Sequence, residues 1–253
     1  MSTDNELSGK VAVVTGSARN MGRAFAEALA RRGADVVVHH HGASSKGEAE
    51  ETARLVEKAV RRAIVVAADL GSVAEVKRMF AETAAAFGRL DIAINNAGLI
   101  VKKPILEVTE EDFDRSFAIN AKAAFFVMQE AARRIEDGGR IVNLGTTLLA
   151  ATTASYGVYA GSKAPLEDFT RALAREIGAR GVTVNTIAPG PIDTSFYREH
   201  EAPEAVAYAS RASVQGRLGK IEDIVPLVEF LASPASQWVT AQTIFINGGY
   251  LAR

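Results

Sequence analysis

Val11-Ala12-Val13-Val14-Thr15-Gly16-Ser17-Ala18-Arg19-Asn20-Met21-Gly22 is an apolar, β-branched run that breaks at a glycine and passes straight into a helical pattern. The run predicts a buried strand over Val11–Thr15, and the spacing after it predicts a helix over about Met21–Arg32. Strand, tight turn and helix start in that order leave free backbone N–H groups and the positive end of a helix dipole aimed at one point. Glycine lets the backbone close on an anion there. The stretch therefore reads as a dinucleotide-phosphate turn, with a plain strand-to-helix turn as the alternative.

Outward from this stretch the alternation repeats. Short β-branched runs at Val36–His39, Ala63–Ala67, Leu90–Asn95, Ile141–Leu144, Val182–Ile187 and Thr243–Ile246 predict six further strands. Helical patterns over about Lys46–Arg62, Val73–Phe87, Tyr156–Arg180 and Glu222–Leu231 separate them, and two helical segments fill Thr109–Ile135 until Gly138-Gly139 stops the second. Pro165 inside the long helix predicts a local kink. Pro189–Gly219 is less regular. Seven strands with intervening helices predict an α/β fold built on a doubly wound parallel sheet. No linker, repeat or shift of composition divides residues 1–253, so one domain is expected.

With 48% hydrophobic residues the chain can bury a substantial core, and its net charge of −1 gives no reason to expect nucleic acid or an anionic membrane as partner. The absence of cysteine excludes disulfides and thiol catalysis. The first ten residues, MSTDNELSGK, are polar, and no apolar run is long enough to span a bilayer. A soluble, cytoplasmic protein is expected.

Gly145–Lys163 holds Tyr159, Lys163 four residues on, and Thr146 thirteen residues before the tyrosine. On a helix, residues four apart lie one above the other. An ammonium beneath the phenol is expected to pull the tyrosine below its ordinary pKa of about 10 and suit it to proton transfer. On spacing alone, Tyr-x-x-x-Lys is a common accident.

The combination is more specific. Thr15 to Gly22 resembles the Thr-Gly-x-x-x-Gly-x-Gly turn of the short-chain dehydrogenase/reductase family. The likeness continues through Asn95-Asn96-Ala97-Gly98, Asn120, the Tyr159/Lys163 pair, Pro189-Gly190-Pro191-Ile192-Asp193-Thr194 and Asn247-Gly248-Gly249. The resemblance implies a seven-stranded Rossmann fold and hydride transfer between a nicotinamide and a ketone or secondary alcohol. It implies that Tyr159 is the general acid/base and that Lys163 tunes the tyrosine and binds the nicotinamide ribose. Asn120 would hold a relay water, and Thr146, in the place of the usual serine, would polarise the carbonyl. Thr147 and the phenol of Tyr156 are rivals by residue type; Asn120 could instead cap a helix. Cofactor contacts are implied for Gly16, Ser17, Arg19, Asn20, Met21, Gly22, Asp69, Leu70, Asn96, Ala97, Gly98, Pro189, Gly190, Ile192 and Thr194. The segment at about 190–217 is expected to form a substrate lid, and the helices bearing Asn120 and Tyr159 to build a homotetramer.

Asn20 departs from the family by replacing the middle glycine. Asparagine tolerates a left-handed backbone, so the turn should survive with weaker or altered cofactor binding. No acid closes the second strand, where the chain reads Val38-His39-His40-His41-Gly42. Arg19 matches a basic residue used against a 2′-phosphate, and its planar fork suits one. NADP(H) is therefore expected over NAD(H), with His40 or His41 near the phosphate and no metal. Asp69 either contacts adenine or caps the next helix. Leu99, Ile100, Leu148, Leu149, Phe196, Tyr197 and Tyr208 suggest an apolar substrate pocket. Arg198, Arg211 and Lys102 could serve an acidic or acyl-carrier substrate but are more simply surface charge. The leading expectation is an NADPH-dependent carbonyl reductase. A cofactor-binding sensor without turnover and an extended-type nucleotide-sugar enzyme are the alternatives.

Overall fold

Period-two burial along the strands dictates the layers. Ala12, Val14, Val36 and Val38 turn their side chains to one face of the sheet, and Val13 and Val37 to the other. A computed structural model describes residues 5–151 and 153–252 of the chain, so Met1–Asp4, part of the polar N-terminal stretch, lie outside the described residues, as do Thr152 and Arg253.

The strands are β1 Val11–Val14, β2 Asp35–His40, β3 Ala63–Ala67, β4 Leu90–Asn95, β5 Ile135–Leu144, β6 Thr183–Pro189 and β7 Thr243–Ile246. All pairings are parallel, in the order β3-β2-β1-β4-β5-β6-β7. The order reverses between β1 and β4, and ligands of such sheets bind beyond the carboxyl ends of the strands at that crevice. One face is covered by α1 (Asn20–Arg31), α2 (Lys46–Lys58) and α10 (Ile221–Ala232), through Phe25, Leu29, Val56, Val228 and Leu231. On the other lie α3 (Val73–Phe87), α5 (Ala124–Arg134) and α7 (Pro165–Ile177), through Met79, Phe80, Val127 and Leu166. Each such side chain, fully buried, stabilises the fold by roughly 1.5–3 kcal/mol.

Four boundaries differ from the sequence reading. Helix α2 stops at Lys58 rather than near Arg62, because Val60 takes a left-handed φ of 60° and turns the chain toward β3. Gly138-Gly139 does not separate helix from strand. It lies inside β5, whose pairing with β4 shifts register between Leu90 and Ile92, so the glycines form an irregularity within a strand. The predicted helix over Tyr156–Arg180 is two, α6 (Gly157–Lys163) and α7, meeting at Ala164, because Pro165 has no N–H for the preceding turn. The irregular segment after β6 contains α8 (Ser195–Arg198) and α9 (Pro203–Ala212). The remaining helix, α4 (Glu110–Phe117), joins α5 through a π-wound turn, Ala118–Ala123.

Candidate active site

The turn after β1 closes because two residues adopt left-handed backbone: Gly16 at φ +63° and Asn20 at φ 51°. Asparagine thus does meet the conformational demand placed on it. A Cβ on Gly22 would lie 2.2 Å from the Gly16 carbonyl oxygen, so only glycine allows the first turn of α1 to sit against the loop. Neutral hydrogen bonds hold the loop from below. Thr15 Oγ1 accepts from the N–H groups of Asn96 and Ala97 at 2.9 and 3.0 Å, and Asn96 Nδ2 donates to the Thr15 carbonyl at 2.9 Å.

His39, at the end of β2, supplies a further tie that the sequence reading missed. The Gly16 N–H donates to its Nδ1 at 2.9 Å, and its Nε2–H donates to the Ala68 carbonyl at 3.0 Å. With Nδ1 accepting and Nε2 donating, the ring is a neutral tautomer with both nitrogens committed. Burial lowers its pKa to about 4. The ring pins the phosphate turn to β2 and to the end of β3.

Above the turn opens a cleft of ≈ 750 Å³ lined by Gly16, Arg19, Asn20, Met21, Gly22, His40, His41, Asp69, Leu70 and Asn96 to Leu99. Arg19 is exposed at the N-cap of α1, and among the described residues its guanidinium has no hydrogen-bond or ion-pair partner. His40 Nδ1 is bound to the Gly42 carbonyl at 2.9 Å, and His41 stands 3.8 Å from Asp69. Asp69 accepts from the Gly71 N–H at 2.9 Å, while Ser72 caps α3. The helix-capping alternative for Asp69 therefore falls.

Beyond the ends of β5 and β6 a second cavity, ≈ 190 Å³, joins this cleft and is lined by Thr146, Tyr156, Tyr159, Lys163, Phe196 and Pro189 to Ile192, among others. Helix α6 brings Tyr159 and Lys163 into it, both buried. The Thr146 hydroxyl lies close enough to the Tyr159 phenol to favour its charged form, and it accepts from the Leu148 N–H at 3.3 Å. Thr147, its rival, spends its hydroxyl on the Ala188 carbonyl at 3.2 Å. Tyr156, the rival phenol, donates to the Glu201 carboxylate. A Cβ on Gly98 would sit 3.2 Å from Lys163 Nζ and 3.3 Å from Asn120 Oδ1, so lysine and asparagine flank that glycine. Asn120 lies within the π-wound turn and caps no helix. Its Nδ2 donates to the Leu99 carbonyl at 2.8 Å and to Ser162 Oγ at 3.0 Å, and its Oδ1 accepts from the Leu99 N–H at 3.0 Å. Such widened turns recur at functional sites.

The expected depression of the tyrosine does not occur in this state. Burial pushes Tyr159 up to about 12, against a smaller opposing effect of the Thr146 hydroxyl. Burial also lowers Lys163 to about 8. The lysine is not aimed at the phenol; its Nζ donates to the Leu144 carbonyl at 2.8 Å. Desolvation opposes both charged forms, and without a close phenol–ammonium contact only the smaller effect of the Thr146 hydroxyl on Tyr159 works against it.

Of the expected substrate-pocket residues, Ile100, Leu148, Phe196, Tyr197 and Tyr208 line the smaller cavity. Leu99 belongs to the larger cleft, and Leu149 is absent from the lining of either. Arg198 pairs with Asp193 at 2.7 Å and Arg211 is exposed on α9. Lys102 is neither free at the surface nor open to a ligand. It donates to Glu201 at 2.7 Å and to the His200 carbonyl at 3.0 Å. Glu201 was not anticipated, because nothing in its spacing marks it; only the return of the chain over the cavity gives it partners.

A family model described as Enoyl-(Acyl carrier protein) reductase matches residues 16–251. A hydroxynaphthalene reductase-like protein of Metarhizium brunneum is 40% identical over 262 residues, covering 98% of this chain and 97% of that one. Among solved structures, a putative dehydrogenase from Burkholderia cenocepacia with bound NADP superposes with a TM-score of 0.95 at 44% identity, over 99% of this chain and 96% of that one. Landomycin C-6 ketoreductase LanV, solved with NADP and rabelomycin, gives a TM-score of 0.88 at 37% identity over 98% of each chain. Likeness this broad takes in the strand order, the glycine turn and the tyrosine-bearing helix together, and the chain belongs to the short-chain dehydrogenase/reductase family of oxidoreductases.

Proposed function

We propose that the chain is an NADPH-dependent carbonyl reductase with Tyr159 as its general acid. The observation that carries the reading is the meeting of Tyr159, Thr146 and Lys163 in one buried cavity that opens beside the glycine turn. The turn suits a dinucleotide, since Gly22 lets the first turn of α1 pack against the Gly16 loop and the N-terminus of α1 favours negative charge. Arg19 is a cation on the same cleft with no ion-pair partner among the described residues, and no carboxylate ends β2 to favour a free ribose 2′-hydroxyl. Solved relatives with bound NADP support the same choice.

Bound NADPH supplies the hydride that reduces the ketone carbon. Tyr159 holds the proton on its phenolic oxygen for delivery to the carbonyl oxygen. Thr146 holds that oxygen in place by a hydroxyl hydrogen bond, and its methyl group narrows the space beside it. Lys163 and Asn120 fix the floor of the site around Gly98. With its pKa raised to about 12, the phenol is protonated at neutral pH and holds the proton to be delivered. The Asn120 side chain holds the Leu99 segment and α6 together beside Lys163, where it is also placed to anchor the relay water. Proline and glycine at 189 and 190, with Ile192 and Thr194, close the cavity toward the cleft, and α8 and α9 form the lid.

Exposed Phe113 and Phe125, on α4 and α5, support assembly through those helices as a homotetramer. No helix among the described residues is long and apolar enough to cross a membrane, and we place the protein in the cytoplasm. The test is consumption of NADPH with a panel of ketones. Tyr159→Phe is expected to lower kcat by about 10²–10⁴-fold; activity near wild type would remove Tyr159 from the chemistry.

A further inference from the structure

Glu201 lies between α8 and α9, with its side chain 4% exposed. Its Oε2 accepts from Lys102 Nζ at 2.7 Å and its Oε1 from the Tyr156 hydroxyl. Lys102 also donates to the His200 carbonyl at 3.0 Å and stands 5.4 Å from the centre of the Tyr156 ring. Both Glu201 and Tyr156 line the cavity of Tyr159, whose ring is 5.9 Å from that of Tyr156 and inclined at 66°. The proposed reduction uses neither of them. An otherwise apolar wall thus carries a buried carboxylate and a phenol, and desolvating those groups is costly unless they are hydrogen-bonded.

Each of these groups is hydrogen-bonded and still has room to accept another donor. An ionised carboxylate offers about four acceptor sites and the two bonds above use one on each oxygen. Tyr156 donates its only proton and keeps its lone pairs. A cationic ligand group would duplicate Lys102, and an anionic one would face Glu201. A neutral O–H fits both constraints. The cavity measures ≈ 190 Å³, against about 150 Å³ for one that holds a benzene ring, so it suits a single ring with a small substituent. We propose that Glu201 and Tyr156 form a subsite for a neutral hydroxyl on the ring of an aryl ketone whose carbonyl is held at Tyr159 and Thr146. The assignment rests on the reductase reading for the position of the carbonyl and adds the far end of the substrate.

The test compares acetophenone, its meta- and para-hydroxy derivatives and the matching methoxy derivatives, with NADPH and the wild-type protein. Hydrogen bonds to a charged acceptor contribute about 1.5–3 kcal/mol, so at least one hydroxyketone should exceed its methoxy partner in kcat/KM by roughly 10–100-fold. The ratio should fall toward one in Tyr156→Phe, which keeps the carboxylate–lysine pair, and in Glu201→Gln. A wild-type ratio near one, or a ratio that survives both substitutions, overturns the subsite. If no ketone consumes NADPH, the reductase reading fails separately. The affinities of the same compounds, measured by calorimetry, then decide the subsite: tighter binding of the hydroxyketone supports it and equal binding overturns it. Should either variant fold poorly, the wild-type comparison alone remains decisive.

Discussion

The two sides of the site are held by different kinds of bond. On the phosphate side, Gly16 is tied to His39 and Thr15 to Asn96 by neutral, part-buried hydrogen bonds that do not involve the lid. On the lid side, the links are few and mostly charged or exposed. Asn20 Nδ2 donates to Ser195 Oγ at 3.0 Å, Arg198 pairs with Asp193, and Lys102 pairs with Glu201. A ligand can add to the first region without rearranging it, whereas the second can be opened by breaking a handful of contacts. Affinity for a common cofactor belongs in the rigid region, and selection among ketones in the adjustable one.

The largest test of this contrast is acid. His39 is neutral in the folded chain, with a pKa lowered to about 4 from 6.5. Unfolding lets it take up a proton at any pH between those values. Its contribution to stability is therefore fully present above pH 6.5 and is lost as pH falls toward 4. The total is about 3 kcal/mol. Urea unfolding from pH 7 to 4.5 should report most of that loss, and His39→Leu should lack it. An unchanged slope in the variant would mean that the phosphate side is not held by a neutral imidazole.

Next in size is Arg19→Ala. Losing a guanidinium–phosphate contact should cut the NADPH-over-NADH ratio of kcat/KM by about tenfold or more, with little change for NADH; an unaltered ratio would remove Arg19 from cofactor choice. The smallest effect is expected from Asn20→Gly. Glycine accepts the left-handed turn without strain, so stability should hold. The KM for ketone should rise about two- to tenfold as the exposed bond to the lid is lost. That rise should vanish in a Ser195→Ala background, because both changes remove the same contact.

How much could be read from the chain divides along the same line. The seven strands and the turn were legible because their signals are local: β-branched runs, a glycine with no room for a Cβ, and an asparagine able to reach φ 51°. Tyr159 and Lys163, with the hydroxyl of Thr146 upstream, could be picked out by spacing and Asn120 through the family resemblance; the first three line one cavity and Asn120 flanks Gly98 beside it. Their proton affinities could not be read, since these depend on burial and on Lys163 turning to the Leu144 carbonyl. Lys102 looked like surface charge because its partner lies 99 residues away, in a segment without periodicity. The course of β5 was misplaced where tertiary pairing overrode the local stop signal of Gly138-Gly139, and the end of α2 because the left-handed turn at Val60 has no glycine to announce it.

The bond between Asn20 and Ser195 also has a consequence for folding order. It joins residues 175 apart in the chain, while the bond of Thr15 to Asn96 spans 81. Because closure entropy grows only with the logarithm of loop length, roughly doubling the span adds only about 0.6 kcal/mol. Distance along the chain is then a minor obstacle. The stronger one is sequence of events: the lid cannot find the turn until β6 has docked beside β5 and carried Ser195 across the sheet. In kinetic terms the latch is a late, non-local contact. Held only by exposed hydrogen bonds between one pair of side chains, it is also among the first to open again.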